Sequence, residues 1–255
     1  MTPPSVSMDR RALLMGLVAG TIIPLSGCAT GGGPLYYSDA DIQQMSDQAW
    51  RDALNQERLL RDPAYLRRVQ RVGDRMVAAS GQTQLNWEFV VLDNDTVNAW
   101  VLPNGKVAFH KGILDIMDVD GHIAAVMGHE IGHVSAHHAQ ARANQRRTAE
   151  LGLQIATIAL QSQGVDINQD TAAILGAGVN YGIILPYSRQ HEFEADRLGL
   201  DYMVSSGYSP QDALDVWLAM STLHAQSSLE FMSTHPSDDN RIAAMREHIA
   251  LQGYA

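Results

Sequence analysis

Helical periodicity dominates the pattern of apolar and polar positions along this chain of 255 residues. Apolar side chains recur every three or four positions, as on the buried face of an amphipathic helix. The segments with this period are 39–57, 64–79, 189–205, one opening at 209–210, and 239–251. Ser38 or Asp39 can cap the first segment, and Pro63 and Gly81 flank the second in the order typical of a helix. The pattern therefore predicts a mostly helical chain.

Two shorter stretches have the composition of β-strands. Residues 87–92 are rich in aromatic and β-branched side chains, and residues 98–110 read as a strand, a turn and a second strand. Pro103 cannot donate to a sheet, so the strand before it is predicted to lie at an edge. That strand comprises Asn98, Ala99, Trp100, Val101 and Leu102. An exposed edge can pair with an extended peptide, although a simple hairpin that closes the sheet fits the pattern equally.

Polar residues interrupt an otherwise apolar helical stretch at residues 123–134. His129-Glu130-Ile131-Gly132-His133 is a His-Glu-x-x-His pattern. Residues four apart share a helix face, so His129 and His133 can bind one metal ion while Glu130 reaches a water in its open position. Asp118 or Asp120 can cap this helix, which is predicted to run to about residue 147. The alternative is two core histidines on an ordinary helix.

A third ligand is not supplied by the residues that directly follow. The longer pattern with a glycine and a third histidine fails, because Ala136 and Ala139 occupy those positions. His137 and His138 lie further along the same predicted helix, and three ligands along one straight helix cannot all reach a tetrahedral ion. Both are therefore interpreted as lying near the site or on the surface.

An acidic segment downstream offers a better ligand. Glu192 and Asp196 are four residues apart on one predicted helix face, whereas Glu194 points nearly opposite. Glu192 can bind the ion, and Asp196 can accept the free N–H of a ligand histidine and so fix the orientation of its ring. The alternative is a solvated acidic helix face.

Length and charge narrow the class of protein. With 45% hydrophobic residues the chain can bury one sizeable core. The net charge of −10 argues against a nucleic-acid surface, which needs clustered Lys and Arg. The apolar stretches 151–160 and 172–185 are too short and too polar to span a membrane, and core packing is favoured over contact with a membrane surface.

The N-terminus has the organisation of a secretory signal. Arg10 and Arg11 precede a short apolar run that ends in Leu-Ser-Gly-Cys at residues 25–28. This ending resembles the bacterial lipobox, in which the cysteine is lipidated and becomes the first residue after cleavage. We therefore expect a signal peptide at 1–27, a tether at 28–38 and one domain at 39–255. A plain signal with a chance cysteine is the alternative, and the paired arginines leave the export route open.

The motifs together resemble a known family. His129–His133, the Glu192/Asp196 pair and the strand 98–103 are similar to those of the gluzincin peptidases, which include the CAAX prenyl protease, HtpX and the periplasmic BepA/LoiP group. The resemblance covers residues 39–251, and the later His-Pro…Arg element is matched by His235 and Arg241. Asn104 departs from the glycine that is common in the family.

The resemblance implies an α+β fold, a mostly helical zincin-like domain whose small sheet has an edge strand lining the active-site cleft. It implies one Zn²⁺ per chain, held by His129, His133 and Glu192 and supported by Asp196. Glu130 is then the general base, and His235 and Arg241 are candidate donors to the oxyanion.

The expected function is that of a zinc endopeptidase acting on polypeptides in the bacterial cell envelope, with quality control of misfolded proteins as its role. A lipid anchor at Cys28 would hold it on the periplasmic side, with the outer membrane favoured. The alternatives are a metal-binding chaperone or scaffold, which does not need Glu130, and a zinc hydrolase of small molecules, which needs a closed pocket.

Overall fold

The computed structural model describes residues 35–162, 187–235 and 239–254. The expected signal peptide, Cys28, most of the expected tether and the apolar stretch 172–185 lie outside these residues. The helices are α1 (Asp39–Gln56), α2 (Pro63–Ser80), α3 (Lys111–Asp115), α4 (Asp120–Ser135), α5 (His138–Ser162), α6 (Arg189–Ser205), α7 (Gln211–Gln226), α8 (Glu230–Thr234) and α9 (Asp239–Gln252). The strands are β1 (Glu88–Leu92), β2 (Ala99–Leu102) and β3 (Lys106–His110). The fold is α+β and mostly helical, as expected.

The helix ends follow the capping signals of the sequence. Ser38 accepts from the backbone N–H of Asp41, whose side chain accepts from Ser38 in return, so α1 begins with a capping box. Asp62 caps α2 ahead of Pro63, and Gly81 ends that helix in the left-handed conformation at φ 70°. These local contacts fix where each helix starts and stops.

The sheet lies between two helical layers. Its strand order is β1-β3-β2, with β1 parallel and β2 antiparallel to β3. Val107 and Phe109 of β3 join the main core, which includes residues of α2 and α4, whereas Ala108 packs with Trp50 of α1 on the other face. Within the described residues β2 pairs only with β3, so the prediction of an edge strand is confirmed.

The metal-motif helix α4 crosses α6 at unusually close range. A Cβ atom added to Gly199 of α6 would lie 2.9 Å from the carbonyl carbon of Gly128 and 2.9 Å from the backbone nitrogen of His129. One added to Gly132 would lie 2.8 Å from the carbonyl oxygen of Ala195. Because small residues line the crossing on both helices, the acidic residues of α6 come within reach of the histidines of α4.

The prediction of one helix from about 120 to 147 is wrong. Helix α4 ends at Ser135, and the exposed residue His137 adopts a left-handed backbone at φ 54° before α5 begins at His138. The two side-chain caps considered for α4 are also absent, since its N-cap is Val119. Helix α5 takes in residues 151–160, whose expected core packing is not seen, as Ile155 and Ile158 are 67% and 65% exposed.

The short helix α8 had no counterpart in the sequence prediction. At five residues it is too short for a hydrophobic period to be recognised. No helix in the described part of the chain has the length and apolar character needed to cross a membrane.

Candidate metal centre

The two histidines of the His-Glu-x-x-His motif lie side by side on one face of α4. Their Nε2 atoms are 3.0 Å apart, and the side chains of His129 and His133 are 1% and 2% exposed. The helix is buried along this stretch because almost every neighbour is apolar or glycine. The i, i+4 spacing therefore directs both rings into the protein interior.

Glu192 of α6 and His235 complete a cluster of four donors. The Glu192 carboxylate lies 3.4 Å from Nε2 of His133 and 3.5 Å from Nε2 of His129. Nδ1 of His235, the residue after α8, lies 3.1 Å from Nε2 of His129 and 3.3 Å from the Glu192 carboxylate. One donor atom from each of the four side chains lies within 4.8 Å of all the others.

The spacing of these donors fits a zinc ion. Ligands at about 2.0–2.1 Å from tetrahedral Zn²⁺ are separated from one another by roughly 3.3–3.4 Å. The distances between neighbouring donors span 3.0 to 3.5 Å around that value. The ring nitrogens of His129 and His133 and the carboxylate of Glu192 also form a donor set that Zn²⁺ prefers. The residues present therefore fit the metal that the resemblance implies.

The ionisation of the cluster also suits a cation. Burial lowers the pKa of His129 well below its usual range and that of His133 to about 4, so both rings are neutral. Burial alone would raise the pKa of Glu192, but the surrounding histidines and Arg241 hold that pKa well below its usual range. Neutral imidazole and ionised carboxylate are the forms that bind a metal ion.

A buried ion pair supports one of the histidines. Nδ1 of His129 lies 2.9 Å from Oδ1 of Asp196, while Nε2 of the same ring faces the other donors. Arg241 donates to both oxygens of Asp196, at 2.7 and 2.8 Å. Its Nη1 lies 2.8 Å from Oε2 of Glu192. The guanidinium of Arg241 thus connects the candidate ligand of α6 with the partner of His129.

Glu130 faces the donors without belonging to them. It is 2% exposed, and the backbone N–H of Val101 faces its carboxyl group. Nε2 of His235 lies 3.5 Å from Oε1 of Glu130. Burial raises the pKa of Glu130 to about 7. Burial opposes a charged His235, but the carboxylates of Glu130 and Glu192 outweigh it and raise the pKa of that ring.

The edge strand β2 lies beside Glu130, as the contact of Val101 indicates. Ala99 is buried, whereas Trp100, Val101 and Leu102 are partly exposed. Asn98, just before the strand, is buried and donates to Glu230 at 2.9 Å. The backbone N–H of Phe231 donates to Val97. Helix α8 therefore holds the start of β2 and presents His235 at its other end.

A cavity of about 220 Å³ adjoins both the donors and the edge strand. His133 and Val101 contribute to its wall, and further apolar contacts come from Leu85, Pro103 and Val134. The cavity is large enough for one bulky side chain of a bound peptide.

Sequence reasoning missed Tyr187 and Glu194 among the side chains around His133, and it expected a third, His138, near the site or on the surface without a defined contact. Tyr187 stacks on its ring with centroids 4.0 Å apart, and Nδ1 of His133 lies 2.9 Å from Nδ1 of His138. Glu194, expected to point away, lies 3.2 Å from Nε2 of His138. The break at His137 turns the chain so that His138 returns to the site. The available signal was the adjacent pair of histidines just beyond the motif. The prediction of one straight helix hid it, because such a helix would direct His138 away from His133.

The comparisons with known proteins agree with this geometry. The chain matches the model described as Peptidase family M48 over residues 63–249. The mitochondrial metalloendopeptidase OMA1 of Schizosaccharomyces pombe is 32% identical over 212 residues, which cover 80% of this chain and 60% of that protein. The beta-barrel assembly-enhancing protease of Escherichia coli is 31% identical over 209 residues, which cover 80% of this chain and 42% of that protein. The metalloendopeptidase OMA1 of Bos taurus is 29% identical over 214 residues, covering 78% of this chain and 40% of that protein.

The aligned region spans between 40% and 60% of the length of these relatives. The family match runs through most of the chain and contains the four facing donors, Glu130 and the edge strand. The chain belongs to peptidase family M48, a family of zinc metalloendopeptidases.

Proposed function

We propose that this chain hydrolyses internal peptide bonds of polypeptides at a zinc ion held by His129, His133 and Glu192. The observation that supports this most directly is the buried carboxyl group of Glu130, which lies between the donor cluster and the free edge of β2. A metal site, a general base and a backbone edge are three parts that a metal-dependent peptidase acting on extended substrates can use.

The roles of the chain's own residues follow from their positions. The chemistry supplied by zinc in such a site is to acidify water and to polarise the scissile carbonyl. Glu130 accepts the proton of the attacking water and delivers it to the leaving amine. Nε2 of His235 faces Glu130 rather than the donors, so it is directed towards the reacting groups and can donate to a developing oxyanion.

Arg241 has contacts that favour a positioning role over direct donation to the oxyanion. Its side chain is 1% exposed, and its contacts include both oxygens of Asp196 and one oxygen of Glu192. Asp196 in turn lies against Nδ1 of His129, which would bind the metal through its opposite ring nitrogen. We therefore assign Arg241 and Asp196 to holding Glu192 and His129 in place.

The edge of β2, which has no second strand partner within the described residues, favours a polypeptide substrate over a small molecule. An extended peptide can pair with the backbone of residues 99–102 and so pass beside Glu130. One of its side chains then enters the cavity next to His133, whose wall is largely apolar. We propose that extended, unfolded segments with an uncharged bulky residue are the preferred substrates.

The decisive test replaces Glu130 by glutamine, which keeps the size of the side chain and removes its ability to accept a proton. Glu130→Gln should retain zinc and lower casein cleavage by about 10²-fold or more, the scale of a lost general base. Zinc content and cleavage are measured on one preparation. Glu150→Gln is the matched control, since Glu150 lies on α5 and pairs with Arg146 at the surface.

The same variant distinguishes a peptidase from the alternative, a metal-dependent chaperone. If wild type and Glu130→Gln both hold zinc and suppress aggregation equally, while neither cleaves casein or a peptide series, the peptidase proposal is wrong. A wild-type protein that cleaves only small esters or amides would favour the small-molecule hydrolase.

The cellular role is a separate proposal, supported by the N-terminal pattern and by one relative. We propose that the chain is anchored by a lipid on Cys28 at the periplasmic side of a bacterial envelope and degrades misfolded proteins there. The Escherichia coli relative is named for β-barrel assembly, whereas the OMA1 relatives are mitochondrial. Cys28→Ser should abolish an acyl mass at the N-terminus and leave either a precursor that retains the signal or a soluble form cut by another peptidase. Wild-type protein recovered without that acyl mass would overturn the anchor.

A further inference from the structure

On the side away from the donor cluster, the ring of His133 contacts His138, which in turn contacts Glu194. Its Nε2 faces the donor cluster, and its Nδ1 lies 2.9 Å from Nδ1 of His138. Nε2 of His138 lies 3.2 Å from the carboxylate of Glu194. His138 is 2% exposed, so its ring contacts protein rather than solvent. The arrangement parallels that of His129, whose Nδ1 faces Asp196.

We propose that His138, oriented by Glu194, is a positioning residue that fixes the ring of His133 for metal binding. A metal on Nε2 of His133 leaves the proton of the neutral ring on Nδ1, which donates to Nδ1 of His138. Nδ1 of His138 is then an acceptor, so its own proton lies on Nε2 and is donated to Glu194. One set of tautomers satisfies both hydrogen bonds.

The backbone explains how His138 reaches this position. On a continuous helix a residue five places after His133 would point away from it. Helix α4 stops at Ser135, and His137 adopts a left-handed backbone with φ 54°, which redirects the chain so that His138 starts α5 facing His133. A left-handed conformation at a residue other than glycine is unfavourable, and such conformations cluster at functional sites.

Helix α6 supplies the carboxylate at the end of each series of contacts, the one behind His129 and the one behind His133. Asp196 serves His129, and Glu194, two residues earlier, serves His138. The Asp196 side chain is 3% exposed and paired with Arg241, whereas Glu194 is 50% exposed. The contact of Glu194 is therefore weaker than that of Asp196. We accordingly assign the orientation of the His133 ring mainly to His138.

The test measures zinc binding rather than proteolysis. In the purified full-length chain, a competing chromophoric chelator gives the zinc dissociation constant of each variant. His138→Leu removes the acceptor and should weaken zinc binding by about 10- to 100-fold. His138→Asn should restore most of the affinity, because its Oδ1 lies near the position of Nδ1 and still accepts from His133. Glu194→Gln should weaken binding by a smaller factor, about three-fold.

His191 provides the matched control, since its ring stacks on the same His138 ring with centroids 4.2 Å apart and 23° between planes. His191→Leu disturbs that packing and leaves the hydrogen bond to His133, so it should bind zinc like the wild type. Adding Glu194→Gln to His138→Leu should cause no further loss, because the effect of Glu194 passes through His138.

Two outcomes would overturn the inference. One is a folded His138→Leu protein that binds zinc as tightly as the wild type, and the other is an equal loss in His191→Leu. If His138→Leu fails to fold, an unchanged zinc affinity in Glu194→Gln overturns it instead. The inference rests on the proposed metal site, and a wild-type chain that binds no zinc would count against that site itself.

Discussion

At the scale of single residues, the site depends on one buried arginine. Arg241 is 1% exposed, and its guanidinium faces two carboxylates, those of Asp196 and Glu192, while it stacks over the ring of Trp217 at 4.6 Å. A buried charge is tolerated only when its partners are close and well aligned. The pair of carboxylates still exceeds the arginine by one negative charge, which a metal cation offsets.

Removing that arginine should therefore be severe. Arg241→Leu leaves two carboxylates buried without their cation, and we expect it to lower the free energy of unfolding by about 3–5 kcal/mol. Urea denaturation of the purified protein measures the change. Adding Asp196→Leu should recover part of the loss, because one uncompensated charge is removed. A loss below about 1 kcal/mol in Arg241→Leu would mean that the ion pair contributes little.

The sequence predicted the residues whose placement depends on local helical periodicity. His129, Glu130 and His133 lie in one motif, and Glu192 and Asp196 are one turn apart, so helix geometry alone orients each set. The position of His235 depends on α8, which is too short to have a recognisable period. Its Nδ1 therefore could not be placed among the donors before the fold was known.

At the scale of elements, the crossing of α4 and α6 brings the two halves of the site together. Gly128 and Gly199 face each other at one of the close approaches between the two helix backbones. A side chain on either helix at this point would separate the backbones by a few tenths of an ångström. Since Glu192 lies on α6 and the histidines on α4, such a shift would also lengthen the distances between donors.

Gly199→Ala tests this close approach. Its Cβ would lie 2.9 Å from backbone atoms of α4, and we expect the free energy of unfolding to fall by about 1–3 kcal/mol, with weaker zinc binding. Gly152→Ala is the control, because a Cβ there has no neighbour within 4 Å. That variant should be more stable by up to about 1 kcal/mol, as expected for an exposed helix position. Equal effects of the two substitutions would contradict the packing argument.

A second contact between elements fixes the start of α4. Asp120, its first residue, pairs with Arg68 and Arg71 of α2 at 2.9 and 2.6 Å. Burial would raise the pKa of Asp120, but the hydrogen bonds from Arg71 and Arg68 outweigh it and hold that pKa below its ordinary value of 3.8. A lowered carboxyl pKa stabilises the fold above the ordinary pKa, and the stabilisation is lost as the pH falls through the pKa of the folded state.

Asp120→Asn should therefore have an effect that depends on pH. We expect it to lower the free energy of unfolding by about 1 kcal/mol at neutral pH, from the lost ion pairs and the lost charge at a helix N-terminus. The difference from wild type should shrink as the pH falls below 3.8. Urea denaturation curves of both proteins at neutral pH and below pH 3.8 measure this difference. Asp118→Asn, at the exposed acidic residue nearby, should show no such dependence.

Elements with strong local signals were predicted well, and those set by tertiary contacts were not. The cap at Ser38 and the residues Pro63 and Gly81 that flank α2 mark their helices because each signal is local. The break after α4 could not be predicted from a glycine or proline, because residues 135–138 contain neither and the left-handed residue is His137. Its conformation is compensated by contacts that His138 makes with residues from α4 and α6, which no local pattern contains.

At the scale of the whole molecule, the donors come from distant parts of the chain. His129 and His133 lie on α4, Glu192 on α6, and His235 at the end of α8, which also holds the start of the edge strand. A metal ion held by His129, His133 and Glu192 therefore links two helices that are far apart in sequence, with His235 of a third segment beside it. Metal binding should stabilise the folded state as a whole, since the unfolded chain has no preformed site.

Removing the metal should consequently lower the melting temperature. Free zinc at 100 times its dissociation constant adds about 2.7 kcal/mol to the free energy of unfolding. For a domain of this size, that corresponds to about 5–10 °C in Tm. Scanning calorimetry with and without a chelator measures the shift. Glu192→Ala, which lacks one proposed ligand, should bind far less zinc and respond little to the chelator. A wild-type protein that loses bound zinc while keeping its Tm would contradict this prediction, because an ion that binds the folded state and not the unfolded chain must stabilise the fold.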